Sequence, residues 1–332
     1  MNLLRFKIDR SKFSPTYLQN LLSWEVVRED MRKKAKQAIN QASLNVQDIK
    51  TTAYPIPPLP EQQKIAAILS SVDDVIEKTR AQIDKLKDLK TGMMQELLTK
   101  GIGSGGVPHT EFKDSPLGRL PACWSVIELK QIATVKGGKR MPKGKPFAGH
   151  VTPYPYIRVS DLGNGTIRQD NLKYVLPKDR EAIKRYTISK NDLYISIAGT
   201  IGMVGSVPEA LDGAQLTENA AKIVFYDLQT LCPSFVKHVL TSGEVQERLN
   251  QEKGTGGGVP KLALFRIEST QLPMPPLSEQ RSIGKALDSM DQRLAVTHEK
   301  LNALMICKKA LMQDLLTGKV RVNVTEKEAA IA

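Results

Sequence analysis

The chain has 332 residues, of which 41% are hydrophobic and 25% charged, enough to build two domains of ordinary size. Lysine and arginine outnumber aspartate and glutamate by 48 to 35, and the resulting formal net charge of +13 points to nucleic acid or an anionic membrane surface as a partner. No run approaches the roughly 18 apolar residues of a membrane span, and Arg5 and Lys7 break the apolar start, which excludes a secretory signal.

From the N-terminus onward, the dominant feature is an internal repeat. Shifted by 218 positions, the sequence matches itself without a gap from about Pro15 to Thr99. A period that long is a duplicated domain and not a solenoid. Residues 1–56 then read as the C-terminal remnant of a domain whose complete copy spans 119–276. About 100 residues of that copy, roughly Arg119 to Glu218, would have counterparts only before Met1. The first copy is therefore expected to be truncated, with its apolar residues partly exposed or covered by another chain.

Residues 57–100 and 277–318 read as two long helices. Pro57-Pro58 and Pro275-Pro276 stop whatever precedes, because the ring fixes φ and removes a donor. Glu61 and Glu279 then place an acid in the first turn, where the helix dipole favours it. Ile65, Ile68, Val72, Val75, Thr79, Leu86, Leu89 and Met93 follow a 3–4 alternation in the first helix. Ile283, Ala286, Met290, Thr297, Leu304, Cys307 and Leu311 do so in the second. That is heptad spacing over about five heptads, so the stripes are expected to pack on each other as a coiled coil. At 1.5 Å per residue each helix would be about 60 Å long. Residues 101–118 begin with GIGSGGV and read as a flexible joint; Gly318 ends the second helix, and the tail 319–332 is expected to fray.

Residues 119–276 alternate strand-like and turn-like segments and read as an α+β domain with an irregular, loop-rich mixed sheet. Val126–Val135 reads as a strand or short mixed element, strands are expected around Tyr154–Val159, Asp192–Ala198 and Lys222–Tyr226, and one helix from Pro233 to Glu252. Positive charge concentrates here: the ten residues KGGKRMPKGK (136–145) hold Lys136, Lys139, Arg140, Lys143 and Lys145. A glycine- and proline-shaped loop of this kind suits phosphate neutralisation with counterion release. Arg140 and Arg158 could instead reach guanine O6 and N7 in a major groove. Ser160 opens the turn cluster that follows Arg158, and Lys261 closes the loop GTGGGVPK (254–261); both join the candidate set. That loop either lets backbone approach a phosphate or simply needs positive φ.

Catalytic constellations are absent. KGGKRMPKGKP lacks Walker spacing, with Pro146 where Ser or Thr should follow Gly-Lys, and Val259 replaces the third glycine of a dinucleotide fingerprint. His109, His150, His238 and His298 share no metal-ligand spacing with Cys123, Cys232 and Cys307. Three scattered cysteines also form no disulfide framework, which fits a reducing, cytoplasmic compartment.

Ile56-Pro57-Pro58-Leu59-Pro60-Glu61-Gln62 and Met274-Pro275-Pro276-Leu277-Ser278-Glu279-Gln280 each precede a long helix, and the helices end in Met94 to Thr99 and Met312 to Gly318. Together with Leu120-Pro121-x-x-Trp124, Tyr156 to Leu162 and Gly254 to Pro260, this duplicated order resembles the specificity subunit of type I restriction–modification systems over nearly the whole chain. The resemblance implies a non-catalytic chain reading half of a split DNA site with residues 119–276. It implies that the two helices pack antiparallel as a ruler and dock two methylation subunits. Those partners would bind S-adenosylmethionine, this chain binding no cofactor, and a translocating restriction subunit would join. Self-association could complete the truncated domain. The rival reading is a decayed or regulatory coiled-coil fragment that docks on methylation subunits without reading DNA.

Overall fold

The computed structural model describes residues 7–38, 41–44, 46–50, 53–163, 165–251 and 261–324, so the loop 254–260 and the tail from 325 lie outside the described residues. The chain divides into two units, residues 1–86 with 294–332, and residues 87–293.

In the first unit, α1 (Pro15–Ser23) begins where the Ser14 hydroxyl accepts the Tyr17 N–H, with Pro15 in the first turn. Next comes α2 (Glu25–Lys34), with Glu25 in its first turn and Arg32, Lys33 and Lys34 in its last, as the dipole favours. A hairpin of β1 (Lys36–Ala38) and β2 (Gln41–Ser43) and the short α3 (Val46–Lys50) lead to the first long helix, α4 (Leu59–Thr99). The later part of the second long helix, α9 (Leu277–Leu316), completes the unit. Tyr17, Leu21, Trp24 and Val27 are buried against Ile65, Ala66 and Leu69 of α4 and Met312, Leu315 and Leu316 of α9. Among the described residues of the remnant, expected to be partly exposed or covered by another chain, the long helices cover Tyr17, Leu21, Trp24 and Val27, while Val26, Val46 and Ile56 stay exposed.

In the second unit a hairpin of β3 (Phe112–Ser115) and β4 (Gly118–Pro121) straddles the end of the stretch 101–118 read as a joint. β5 (Ser125–Glu128) pairs with the late strand β14 (Gln271–Met274). A wholly antiparallel sheet has the order β11 (Val204–Ser206), β10 (Leu193–Ser196), β13 (Ala220–Phe225) and β6 (Ala133–Gly137). A mixed sheet has the order β8 (Lys173–Tyr174), β7 (Pro155–Ile157), β12 (Ala214–Leu216) and β9 (Thr187–Ile188), with β12 parallel to β7. The short helices are α5 (Pro177–Arg180), α6 (Pro233–Leu240), α7 (Gly243–Gln251) and α8 (Leu264–Glu268). Trp124, Ile195, Ile223, Phe235 and Val239 form one core with Leu98, Ile283 and Leu287 of the long helices. The single helix expected from Pro233 is broken at Thr241–Ser242. Every side chain from Phe235 to Leu240 is buried, and the Gln246 amide donates to Leu240 O at 2.7 Å, satisfying a carbonyl at the break.

Within each unit the long helices run antiparallel, and they do so by the same contacts. Lys308 holds Asp73 at 2.6 Å in the first unit, and Lys90 holds Asp291 in the second. Under the 218-residue shift these pairs are each other's counterparts. Gln62 accepts the Ser14 N–H and donates to Pro57 O, while Gln280 accepts the Cys232 N–H and donates to Pro275 O, again 218 residues on. Cys307, expected in the stripe of the second helix, is exposed, and the apolar seam of the first helix needs a further correction. Ile65, Val72, Ile283, Met290, Leu86, Leu304 and Leu311 are buried or half-buried as expected, and Ile68 is half-buried. Val75 and Leu89, however, are 41% and 52% exposed. The alternate seam positions fall one residue later, at Leu69, Ile76 and Ile83. The chain carries apolar pairs at 68–69 and 75–76, and periodicity alone does not say which member turns inward.

The acids of the two first turns grip the chain just beyond the partner helix. Glu279 accepts Ile102 N–H (2.8 Å), Gly103 N–H (2.9 Å) and Trp124 Nε1–H (3.0 Å), and lies 2.9 Å from His109 Nε2. Gly101 lies so close that a Cβ would sit 2.3 Å from Glu279 Oε1. The start of the glycine-rich stretch is thus fastened. Glu61 likewise accepts Arg321 Nε (2.7 Å) and Val322 N–H (3.2 Å). Among the described residues, no helix is long and apolar enough to cross a membrane.

Candidate nucleic-acid interface

The strand registers gather Lys136, Lys139, Arg140 and Lys261 of the candidate set at one end of the antiparallel sheet. Gly137, at the end of β6, opposes Ala221, and Ser196, at the end of β10, opposes Ala220. The loops leaving β6 and β10 and the turn entering β13 therefore emerge together. Main-chain bonds tie them: Gly138 N–H to Ala220 O (3.0 Å), Lys139 N–H to Leu216 O (2.8 Å) and Ile197 N–H to Asn219 O (2.9 Å). Gly138 is required by this close approach, since a Cβ would lie 2.1 Å from Thr217 O and 2.3 Å from Leu216 O. Lys261 pairs with Ala198 as an isolated bridge and joins the same end.

The basic side chains here are exposed but individually placed. Lys136 lies exposed on β6, opposite Lys222 in register, and the Lys222 ammonium is 4.0 Å from Asp192. Lys139 holds its ammonium over the Tyr186 ring, 5.7 Å from the centroid, while its carbonyl accepts the Tyr156 hydroxyl at 2.8 Å. Arg140 donates through Nε to Glu218 at 2.6 Å, yet its side chain stays 76% exposed. Lys143 is exposed with no ion-pair partner among the described residues, and Lys145 pairs with Asp179 at 3.0 Å. The loop keeps its shape because Phe147 and Met141 pack on Tyr156, Val175 and Ile183 beneath it.

Arg158 and Ser160 serve differently. The Arg158 guanidinium bonds both Asp161 oxygens (3.0 and 2.6 Å) and Asn171 O (2.8 Å), fixing the turn after β7. Ser160 is exposed, its hydroxyl 3.3 Å from Asp161. Lys261 reaches the Glu218 carbonyl at 3.5 Å. Sequence reasoning did not single out Glu218, the acid that the folded loops place among Arg140 and Lys261. Burial pushes its carboxyl upward, but the Arg140 and Thr217 hydrogen bonds outweigh this and hold it below the usual range.

A polar cluster also lies beneath α6. His238 Nε2 is 2.8 Å from Asp288, which takes hydrogen bonds from Lys237 (2.6 Å) and Ser234 (2.5 Å). His238, Asp288 and Asp291 could in principle converge on a cation. The ammonium groups of Lys237 and Lys90 already neutralise those carboxylates, so the donor set suits a partly buried ion-pair network better.

The surface thus combines convergent cations, backbone-rich turns and a glycine-shaped loop, with no acid–base or nucleophile constellation beside it among the described residues. Residues 1–88 and 121–305 match the family described as the type I restriction modification DNA specificity domain. The chain belongs to that family. It is 30% identical, over 97% of its length, to the protein named MjaX specificity subunit of a type I restriction enzyme in Methanocaldococcus jannaschii, and covers 72% of that relative. It is 27% identical to the MjaVIII specificity subunit from the same organism, over 81% of this chain and 62% of the relative. The type I S subunit from M. genitalium shares the fold, with a TM-score of 0.58 at 16% identity over 93% of this chain and 74% of that one. A second solved structure, from a study of type I system assembly, gives 0.54 at 18% identity, over 94% and 73%.

Proposed function

We propose that this chain is the non-catalytic DNA sequence-recognition subunit of a type I restriction–modification complex, with one half-site read by residues 119–276. The observation that carries the DNA reading is the convergence of Lys136, Lys139, Arg140 and Lys261 at one end of the β11-β10-β13-β6 sheet, with the exposed Lys143 in the same loop as Arg140. Exposed cations there neutralise phosphates and position the chain, whereas the terminal nitrogens of Arg140, without a partner among the described residues, are available for a base edge. Arg158, bound to Asp161, contributes by holding its turn. Family membership favours this reading over a docking-only fragment.

The two long helices would dock methylation subunits, which carry S-adenosylmethionine, and a translocating restriction subunit would complete the complex in the cytoplasm. This chain itself would bind no cofactor. A second copy could supply a further complete domain, restoring a two-part site. The test is a gel shift of the chain with methylation subunits on a pool of random duplexes. A retained complex at low salt is expected, lost when Lys139, Arg140, Lys143 and Lys145 are changed to Glu. Absence of any shifted complex, or equal retention by the reversed variant, would overturn the reading.

A further inference from the structure

The Thr217–Glu218–Asn219 turn is fixed on every side by main-chain bonds. Thr217 N–H donates to Ile157 O, Ala220 N–H to Thr217 O, and both Ile197 and Ala198 N–H to Asn219 O. The Glu218 carboxylate therefore stands on a rigid base, further oriented by the Thr217 hydroxyl at 2.9 Å. Against it lies an arginine that is otherwise in solvent. Only Nε of Arg140 is engaged, at 2.6 Å, and its terminal nitrogens have no partner among the described residues. A guanidinium gripped by Nε has lost its swivel but keeps the two terminal N–H groups, the pair that meets guanine O6 and N7. An unrestrained arginine in a basic loop would as readily take a phosphate, which carries no sequence information.

We infer that Glu218 is the positioning residue of the reading surface: it aims Arg140 at a guanine edge and cancels that residue's pull on phosphates. This rests on the DNA-reading function proposed above. Removing the carboxylate should make binding tighter on average and less selective. Glu218→Gln keeps the shape and the Thr217 contact, so it separates charge and aim from folding; Glu218→Asp keeps the charge and should restore part of the selectivity.

The experiment uses the full chain, selection from a random duplex pool, and affinity at several salt concentrations. The wild type is expected to enrich guanine at one position. Glu218→Gln should reduce that preference roughly 5- to 150-fold, the range of one bidentate contact. It should also steepen the slope of log K against log salt by about 0.9, one added phosphate contact. Placed on an Arg140→Ala background, Glu218→Gln should change neither quantity, because the effect passes through Arg140. Unchanged preference and slope in the single variant would overturn the inference, as would the same change without Arg140. If reversal of Lys139, Lys143 and Lys145 left wild-type DNA binding intact, the DNA reading itself would fall; loss of binding there with an inert Glu218→Gln would sink only the role of Glu218.

Discussion

Glu61 and Glu279 occupy the same place in the repeat, but the structure predicts that losing them has unequal effects. Glu279 is 5% exposed and serves two backbone N–H groups, the His109 imidazole and the Trp124 indole. In Glu279→Gln one oxygen can still accept, but the amide NH2 faces donors, leaving at least one of them unmet. Hydrogen bonds to a charged group contribute about 1.5–3 kcal/mol, and an orphaned buried donor costs about 1–3 kcal/mol. We expect Glu279→Gln to destabilise the second unit by about 3–5 kcal/mol, the scale for breaking a buried charged network. Glu61 is as buried, but its chief partner, the Arg321 side chain, is 66% exposed and returns to water when released, so Glu61→Gln should cost clearly less. Burial raises the Glu279 carboxyl, but bonds from Gly103, His109, Ile102 and Trp124 outweigh it and hold the group below the usual range. A depressed carboxylate contributes fully above its unfolded pKa and ceases to contribute as pH falls through the folded value. Wild type should therefore lose more stability than Glu279→Gln on acidification below about pH 5. Urea unfolding, followed by circular dichroism and by Trp124 emission in a Trp24→Phe background, measures both. A cost for Glu279→Gln under about 1 kcal/mol, or equal to that of Glu61→Gln, would refute the reasoning.

Three further outcomes follow from particular contacts. Leu69→Ala should cost about 2–5 kcal/mol, whereas Leu89→Ala, 52% exposed, should stay within about 0.5 kcal/mol; equal midpoints in urea would restore the heptad register read from sequence. Gly138→Ala forces a Cβ onto Thr217 O and Leu216 O and should weaken duplex retention as well as stability, while Gly149→Ala, with nothing within 4 Å, should do neither. Burial, with help from the Lys237 charge, holds His238 below the usual histidine range despite its Asp288 bond. Such a group binds protons more readily when unfolded, so stability should fall as pH drops through about 6.5. His238→Asn, which copies Asn20 at the equivalent position, should flatten thermal stability between about pH 7.5 and 5.5.

Much of the architecture was legible because it is repeated. The Pro-Pro stops, first-turn acids and heptad stripes located both long helices to within a residue or two, and their duplication implied mutual packing. Side-chain direction was less legible: Val75 and Ile76 are both apolar, and the fold buries Ile76 while Val75 stays 41% exposed. The strands around Tyr154, Asp192 and Lys222 were visible as β-branched and aromatic runs. The two- and three-residue strands β8, β9, β11 and β12 were not, because they are held by neighbours and carry no period of their own. At the candidate site the lysine-rich loop stood out by charge. Nothing in the local sequence linked it to Glu218, which lies 78 positions beyond Arg140 and reaches it only through the junction of two sheets.

The central claim is that one end of the second unit's antiparallel sheet lies against duplex DNA. Photo-crosslinking the full chain to halogenated random duplexes, with adducts mapped by mass spectrometry, tests it most directly. Adducts should fall on residues 136–145, 197–202, 217–219 and 261. Adducts confined to α1, α2 and the long helices, with that end unlabelled, would contradict it.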